Sequence, residues 1–271
     1  MVGTAVIWGL FPLYLHLFKQ AGTDLIMAHR IIWCVPMVWA LVWLGGKKHQ
    51  LNRERFRLLI CSALLLGGMW LAYVWSITNH RLIDLSLGYF LMPLLATLMG
   101  VIWFGERLSG QERIAVGLAA AGLALLAVGK GGLPLNGILF ALSFGGYATL
   151  RKKLQMEPLF AFAVEVSLLA PFALAYLAYQ GNAAFTELPL QIGSAVLTLL
   201  PMVLYGLALT AIRLATASMI NYLTPTLNFL CGLLFFAEPL EPLKLVTFVF
   251  IWSGLLIYTH AAIQRSRNGK T

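Results

Sequence analysis

The chain has 271 residues, of which 60% are hydrophobic and 11% charged, and its mean hydropathy is +0.84. A soluble domain carries about a quarter charged residues, so this composition excludes a water-soluble fold and requires lipid around it. The formal net charge of +9 lies in short segments beside apolar runs, where it reads as a topology signal and as contact with anionic lipid, not as nucleic-acid binding.

A bilayer-spanning helix needs about 20 apolar residues at 1.5 Å each. Ten runs meet that description: 2–19, 25–45, 57–78, 85–104, 111–130, 134–150, 159–179, 189–210, 215–237 and 242–263. The expected fold is therefore all-α, a polytopic membrane protein of ten transmembrane helices. The first run lacks the basic residues and small-residue cleavage site of a signal peptide. It is short for a span, so a few native residues are expected to precede Met1. Glycines at 129, 131 and 132 and Pro134 mark a tight turn between the fifth and sixth runs.

Loops counted alternately from the N-terminus divide the basic residues unevenly. One side collects Lys47, Lys48, Arg53, Arg55, Arg57, Arg107, Arg113, Arg151, Lys152, Lys153, Arg213, Arg265, Arg267 and Lys270; the other holds only Lys19, Arg81, Lys130 and Lys244. Lys and Arg collect on the cytoplasmic side, so both termini are expected there. Cys34, Cys61 and Cys231 lack the paired spacing of a metal or redox site, and neither metal nor disulfide is expected.

Segment 86–108, SLGYFLMPLLATLMGVIWFGERL, matches segment 218–240, SMINYLTPTLNFLCGLLFFAEPL, at an offset of 132 residues. Pro93/Pro225, Gly100/Gly232 and Glu106/Glu238 coincide, and the register extends back through Tyr73/Tyr205 and Arg81/Arg213. Two five-helix repeats follow, residues 1–131 and 132–271. An odd number of spans per half makes the second half start from the opposite side of the bilayer. Inverted repeats of this kind are a signature of secondary transporters.

A charge in hydrocarbon costs from about 2.5 kcal/mol upward, so it faces a cavity or a partner. Glu165 lies about seven residues into the seventh run, with no cation near it in sequence. It reads as a proton acceptor or cation ligand in a central cavity, or as a structural partner of Arg30 or His29. His29 and Arg30 open the second run. They either snorkel to the interface or form a carboxylate site, in which Arg bonds the anion through two parallel hydrogen bonds.

Trp70, Tyr73 and Trp75 in the third run and Tyr89 in the fourth suggest an aromatic wall for a flat solute, or an interface belt. Asn221, Tyr222 and Asn228 in the ninth run are substrate contacts or interhelical glue. Pro93 and Pro225 occupy matching positions and kink their helices, as hinges or as fixed shape. Gly117 and Ala121 have the small-xxx-small spacing of a close helix contact, inside one chain or across a dimer, so monomer and dimer both stand. Glu106 and Glu238 end their runs and are expected to be solvated.

The run from Ser86 to Leu94 (SLGYFLMPL) resembles the RarD subfamily, EamA-like, of the drug/metabolite transporter superfamily. So do Gly9 to Tyr14 (GLFPLY), His29-Arg30-Ile31-Ile32-Trp33, Arg151-Lys152-Lys153, Pro225-Thr226 and Phe250-Ile251-Trp252. The similarity runs along essentially the whole chain in order. It departs where the subfamily shows Asn-Trp and this chain has Met69-Trp70, and where the subfamily shows Glu-Thr and this chain has Glu165-Val166. The resemblance implies ten helices, cytoplasmic termini, a plasma-membrane location and a central substrate cavity.

The function expected is a secondary transporter, a permease or exporter, moving a small organic metabolite or drug by alternating access. No Walker A or other nucleotide signature is present, so a gradient supplies any coupling energy, and Glu165 and His29 point to protons. No cofactor is expected. The partners are the lipid bilayer and a small-molecule substrate, with no nucleic acid. The alternatives are a membrane-embedded channel and an enzyme; five scattered histidines speak against the latter.

Overall fold

The computed structural model describes residues 1–15, 17–18, 22–46, 51–78, 82–129, 135–181, 187–235 and 242–267. Among these the regular elements are helices: α1 (Val2–Leu15), α2 (Thr23–Leu44), α3 (Arg53–Thr78), α4 (Leu82–Phe104), α5 (Gly110–Gly129), α6 (Leu135–Leu154), α7 (Pro158–Gln180), α8 (Leu188–Ala211), α9 (Leu214–Asn221), α10 (Leu223–Phe235) and α11 (Pro242–Arg267). A helix satisfies its own backbone hydrogen bonds, which hydrocarbon cannot do for it. Five of the helices, α2, α3, α5, α7 and α8, contain stretches long and apolar enough to cross a membrane. Shorter apolar stretches run over Val2–Tyr14, Gly88–Phe104 and Leu245–Ala261. Large apolar side chains such as Trp43, Val128, Phe172 and Leu256 point away from the bundle.

Two elements differ from the sequence reading. The sixth helix continues four residues past position 150, because Arg151 and Lys152 both find protein partners and have no need of water. The ninth run is divided at Tyr222. Pro225 has no N–H to offer the Asn221 carbonyl one turn back, and around the break Tyr222 N–H turns to Met219 O at 3.2 Å. Pro93 holds the matching position, yet α4 continues across it from Leu82 to Phe104.

At the 132-residue offset each of α1 to α5 has a counterpart: α6, α7, α8, the α9/α10 pair and α11. Counterparts pack on one another, α2 on α7, α4 on α9 and α5 on α11. In all three contacts they run antiparallel. A Cβ on Gly122 would stand 3.2 Å from the Thr247 carbonyl, and one on Gly254 would stand 2.7 Å from the Ala115 carbonyl. Residues 115 and 122 of α5 thus meet 254 and 247 of α11, in reversed order. Likewise Asp24 bonds Tyr176 while Trp39 reaches Ser167 and Phe160, and Phe90 meets Tyr222 while Gly100 meets Leu214. These close helix approaches depend on small residues in the contact. Gly122 and Gly254 supply them in α5 and α11; Gly117 and Ala121 are exposed, and a Cβ on Gly117 would touch nothing within 4 Å.

The end of the bundle where α4, α6 and α8 finish is tied together by ion pairs. Glu106 accepts from Lys152 Nζ at 2.7 Å and from the backbone N–H groups of Leu214 and Ala215 at 2.7 and 2.9 Å, capping the N-terminus of α9. Its side chain is 6% exposed, so the expectation that Glu106 is solvated is corrected: a helix end covered by protein needs an acceptor. Glu238 lies outside the described residues. Glu112, buried in the first turn of α5, pairs with Arg213 at 2.5 Å and exchanges hydrogen bonds with Ser109, a capping box.

Candidate functional site

A cavity opens among α1, α2, α3, α4, α6, α8 and α10, with an empty volume of about 440 Å³ including its mouth. The first repeat contributes Trp8, Arg30, Met69, Trp70, Tyr89 and Met92; the second contributes Phe140, Phe144, Thr198, Met202 and Thr224. Aromatic rings and thioethers dominate the wall. Tyr89 and Phe140, one from each half of the chain, pack with their rings tilted by 50° and centroids 4.8 Å apart. Such a concave, mainly apolar space with a few polar groups suits a small organic ligand.

Arg30 is 7% exposed and His29 is 1% exposed, so the reading in which they snorkel to the interface is corrected. Seven residues into α2 they have turned inward and found partners. Arg30 Nε donates to Thr198 Oγ1 of α8 at 2.5 Å, and Nη1 lies 3.2 Å from Met27 Sδ. The guanidinium also lies over Phe11 and Trp70, 4.7 and 5.8 Å from their ring centroids, a cation–π arrangement. Trp33 Nε1 donates to His29 Nδ1 at 3.2 Å.

Glu165 is completely buried but does not line this cavity. Ser62 Oγ and Tyr147 OH donate to its two oxygens, the latter at 3.2 Å, and Arg151 Nη1 stands 3.5 Å away. The partner of Glu165 is therefore Arg151, not Arg30 or His29. Arg151 also donates from Nη2 to Pro158 O at 2.9 Å. Gly206 makes room for it: a Cβ there would come within 2.7 Å of Nη2. Sequence reading assigned Arg151 to a loop, because the signal at hand was a run of three basic residues. The missed cue was that α6 can bring position 151 beside position 165 across a three-residue connection.

The two sites lie at different levels along α6. On α6 the order is Phe140 and Phe144 on the cavity, then Tyr147 and Arg151 on the ion pair, a separation of about 16 Å between 140 and 151 at helical rise. On α3, which runs the other way, Ser62 precedes Trp70. Trp8, Phe144 and Tyr205 meet between the sites, with centroid distances of 5.4 to 6.2 Å.

The remaining predicted residues divide as follows. Trp70 and Tyr89 line the cavity. The side chain of Tyr73 lies outside the described residues, as do those of Trp75 and Pro93. Asn221 is buried beside the α9/α10 break; its Oδ1 lies 3.4 Å from Thr224 Oγ1, and its Nδ2 has no hydrogen-bond partner among the described residues. Asn228 Oδ1 is likewise buried without one. Tyr222 does not reach the cavity wall; its hydroxyl donates to Phe90 O at 3.1 Å. Pro225 is buried at the start of α10. Trp8, Phe144, Thr198 and Met202 were not singled out from sequence, because isolated apolar or hydroxyl residues in an apolar run carry no periodic mark. Cys34 and Cys231 are buried and Cys61 exposed, all as free thiols; among the described residues no cluster of metal ligands occurs.

The family model for the EamA-like transporter family matches residues 1–128 and again 134–259. The chain belongs to the EamA-like transporter family, in its RarD subfamily. Protein RarD of Salmonella typhi is 35% identical over 96% of this chain and 93% of its own length. Protein RarD of Escherichia coli (strain K12) is 33% identical over the same shares, and an uncharacterized transporter of Vibrio cholerae is 32% identical over 95% and 90%. A solved structure titled only as the crystal structure of a protein superposes with a TM-score of 0.71 over 96% of both chains at 16% identity, which carries the fold alone. This EamA-like chain is thus a multi-pass membrane transporter of the drug/metabolite superfamily. Each of the family's two matches covers one set of the counterparts that pack antiparallel.

Proposed function

We propose that the chain is a secondary transporter that moves a small organic solute across the plasma membrane, the inner membrane of a bacterium, by alternating access. Ten spans, both termini cytoplasmic and two inverted halves complete the reading. One observation carries it: the cavity is walled by helices of both repeats, whose counterparts run antiparallel. Antiparallel counterparts related by a two-fold axis can trade conformations, so the end now open and the end now shut exchange roles. The buried cluster of Ser62, Tyr147, Arg151 and Glu165 is assigned the closed side of the cavity, and by the distribution of Lys and Arg that side is cytoplasmic. The state described is then the outward-open or occluded one.

The break at Tyr222 has no equivalent in the unbroken α4, which supports Pro225 as a hinge. Proton coupling and outward transport extend the proposal. The support for protons is His29, buried one residue from Arg30 on the cavity wall, and Glu165, whose partner Arg151 must be released when the sealed end opens.

The test is reconstitution in liposomes with a panel of labelled organic acids, amines and neutral drugs. The expected result is flux of at least one solute that saturates and accelerates when the lumen is preloaded with unlabelled solute. Flux that stays linear with concentration and ignores preloading would make the protein a channel. A pH gradient that leaves saturable flux unchanged would remove protons.

A further inference from the structure

We propose that Asn221 is a substrate contact of the cytoplasm-facing state, held in reserve in the state described, and that it reads a neutral hydrogen-bonding group, such as an amide, on a flat apolar solute. The proposal deepens the alternating-access reading and rests on it. Three observations carry it. At the 132-residue offset Trp8 and Phe140 are counterparts, as are Trp70 and Met202, and Met92 and Thr224. All six line the cavity. Six wall residues from one half and five from the other would seldom coincide even once if placed at random. The wall is therefore built largely from equivalent positions of the two halves.

The second observation concerns the wall residues outside these pairs. Tyr89, Thr198, Arg30 and Met69 have Asn221, Leu66, Phe162 and Pro201 as counterparts, and all four counterparts are buried. If the halves trade conformations, these positions come onto the wall as their partners in the register withdraw, while the three pairs stay. Leu66, Phe162 and Pro201 are apolar, and so is Pro12, the counterpart of Phe144. Asn221 is then the one hydrogen-bonding side chain that the wall gains.

The third observation is the condition of Asn221 itself. It is 1% exposed, and its Nδ2 has no hydrogen-bond partner among the described residues. Its Oδ1 lies 3.4 Å from Oγ1 of Thr224, which is on the wall, so the carboxamide stands one contact behind the present cavity. It ends α9 beside the break at Tyr222, where its turning disturbs no continuous helix. A buried amide N–H without an acceptor is costly; an acceptor on the solute supplies the missing partner once the wall changes. A carboxamide offers donors and an acceptor but no charge, so in a poorly solvated space it suits a neutral polar group and not an ion. Trp8, Phe140, Trp70 and Met202 accept a flat apolar body in both states.

Side-specific labelling tests the exchange of roles. In the full-length chain without Cys34, Cys61 and Cys231, Tyr89→Cys and Asn221→Cys are introduced separately and treated with an impermeant methanethiosulfonate, in intact cells and in inverted membrane vesicles. Tyr89→Cys should react several-fold faster from outside, and Asn221→Cys several-fold faster from the cytoplasmic side. Should Asn221→Cys fail to fold, Leu66→Cys, the counterpart of Thr198, carries the same expectation. Faster reaction of position 221 from outside, equal reaction from both faces, or reaction from neither overturns the proposal. Preload-stimulated flux in the same vesicles decides the transporter reading separately, so the two failures are told apart.

The solute class is tested by calorimetric titration of the protein in nanodiscs, with lipid-only nanodiscs as blank. The probes are indole-3-acetamide and 3-ethylindole, two bodies of like shape with and without the amide. The amide should bind about tenfold more tightly, and Asn221→Leu should remove that preference while 3-ethylindole is unchanged. Equal weakening of both probes would make Asn221 structural and overturn the assignment. So would an amide that does not bind, or a preference that survives Asn221→Leu.

Discussion

The Tyr222 hydroxyl donates to the backbone carbonyl of Phe90, the residue 132 positions earlier, at 3.1 Å. By the internal register these two are counterparts. A residue touches its own counterpart only where the axis relating the halves passes between them. The same axis must pass between α5 and α11, where Ala115 meets Gly254 and Gly122 meets Thr247. Both crossings are antiparallel, the arrangement that the proposed inverted repeat calls for. Arg57 and Pro189 are exposed counterparts near the starts of α3 and α8. In a background without Cys34, Cys61 and Cys231, Arg57→Cys should react with an impermeant maleimide only from the cytoplasmic side and Pro189→Cys only from outside. Reaction of both from one side would mean that the halves are not inverted.

The α5 contact with α11 predicts an asymmetry among glycines. Gly254→Val drives a side chain into the Ala115 carbonyl, which as backbone has nowhere to go. Overpacking of this kind costs about 1–3 kcal/mol. Gly117→Val, on an exposed face with open space around it, should leave stability unchanged. Thermal melts in detergent should therefore show a lower Tm for Gly254→Val alone. Equal melts would mean that the two helices are not in close contact.

Glu165 and Arg151 predict a strong coupling. Removing one partner of a buried ion pair costs about 3–5 kcal/mol, because the other charge is left without compensation. Glu165→Gln and Arg151→Met should each lower the yield of folded protein and slow the flux of any transported solute. The double variant should be less damaged in stability than the two losses added together, the signature of direct interaction in a double-mutant cycle. Strict additivity would show that the pair contributes nothing beyond packing.

Pro225→Ala restores an N–H to the Asn221 carbonyl and should let one helix run from Leu214 to Phe235. Proline in a helix interior costs about 3 kcal/mol, so the variant should melt higher. If the break is a hinge, the gain comes with slower exchange flux. A more stable variant with unaltered flux would assign the break to shape alone.

Hydropathy and charge placement revealed the helices, because both are local: about 20 apolar residues in a row and a cluster of Lys or Arg can be counted along a string. Pro93 and Pro225 revealed the internal register for the same reason. The site was only partly visible. Arg30, Trp70 and Tyr89 stood out as polar or aromatic residues in apolar runs, and they line the cavity. Glu165 stands out too, but its partner depends on α6 and α7 folding back on each other, so along the string Arg151 reads as a loop residue. Thr198 has the least conspicuous side chain of the group; its role appears only when Arg30 arrives from a helix 168 positions away in the chain.

Among the described residues, none on the cavity wall comes from α5 or α11. The joint between α5 and α11 is therefore made of helices that the cavity does not use, while α2 and α4 serve both the contact between the halves and the cavity wall. Changes of cargo can accumulate in the chamber while the joint stays as it was, so close relatives can share one chassis and carry unlike loads.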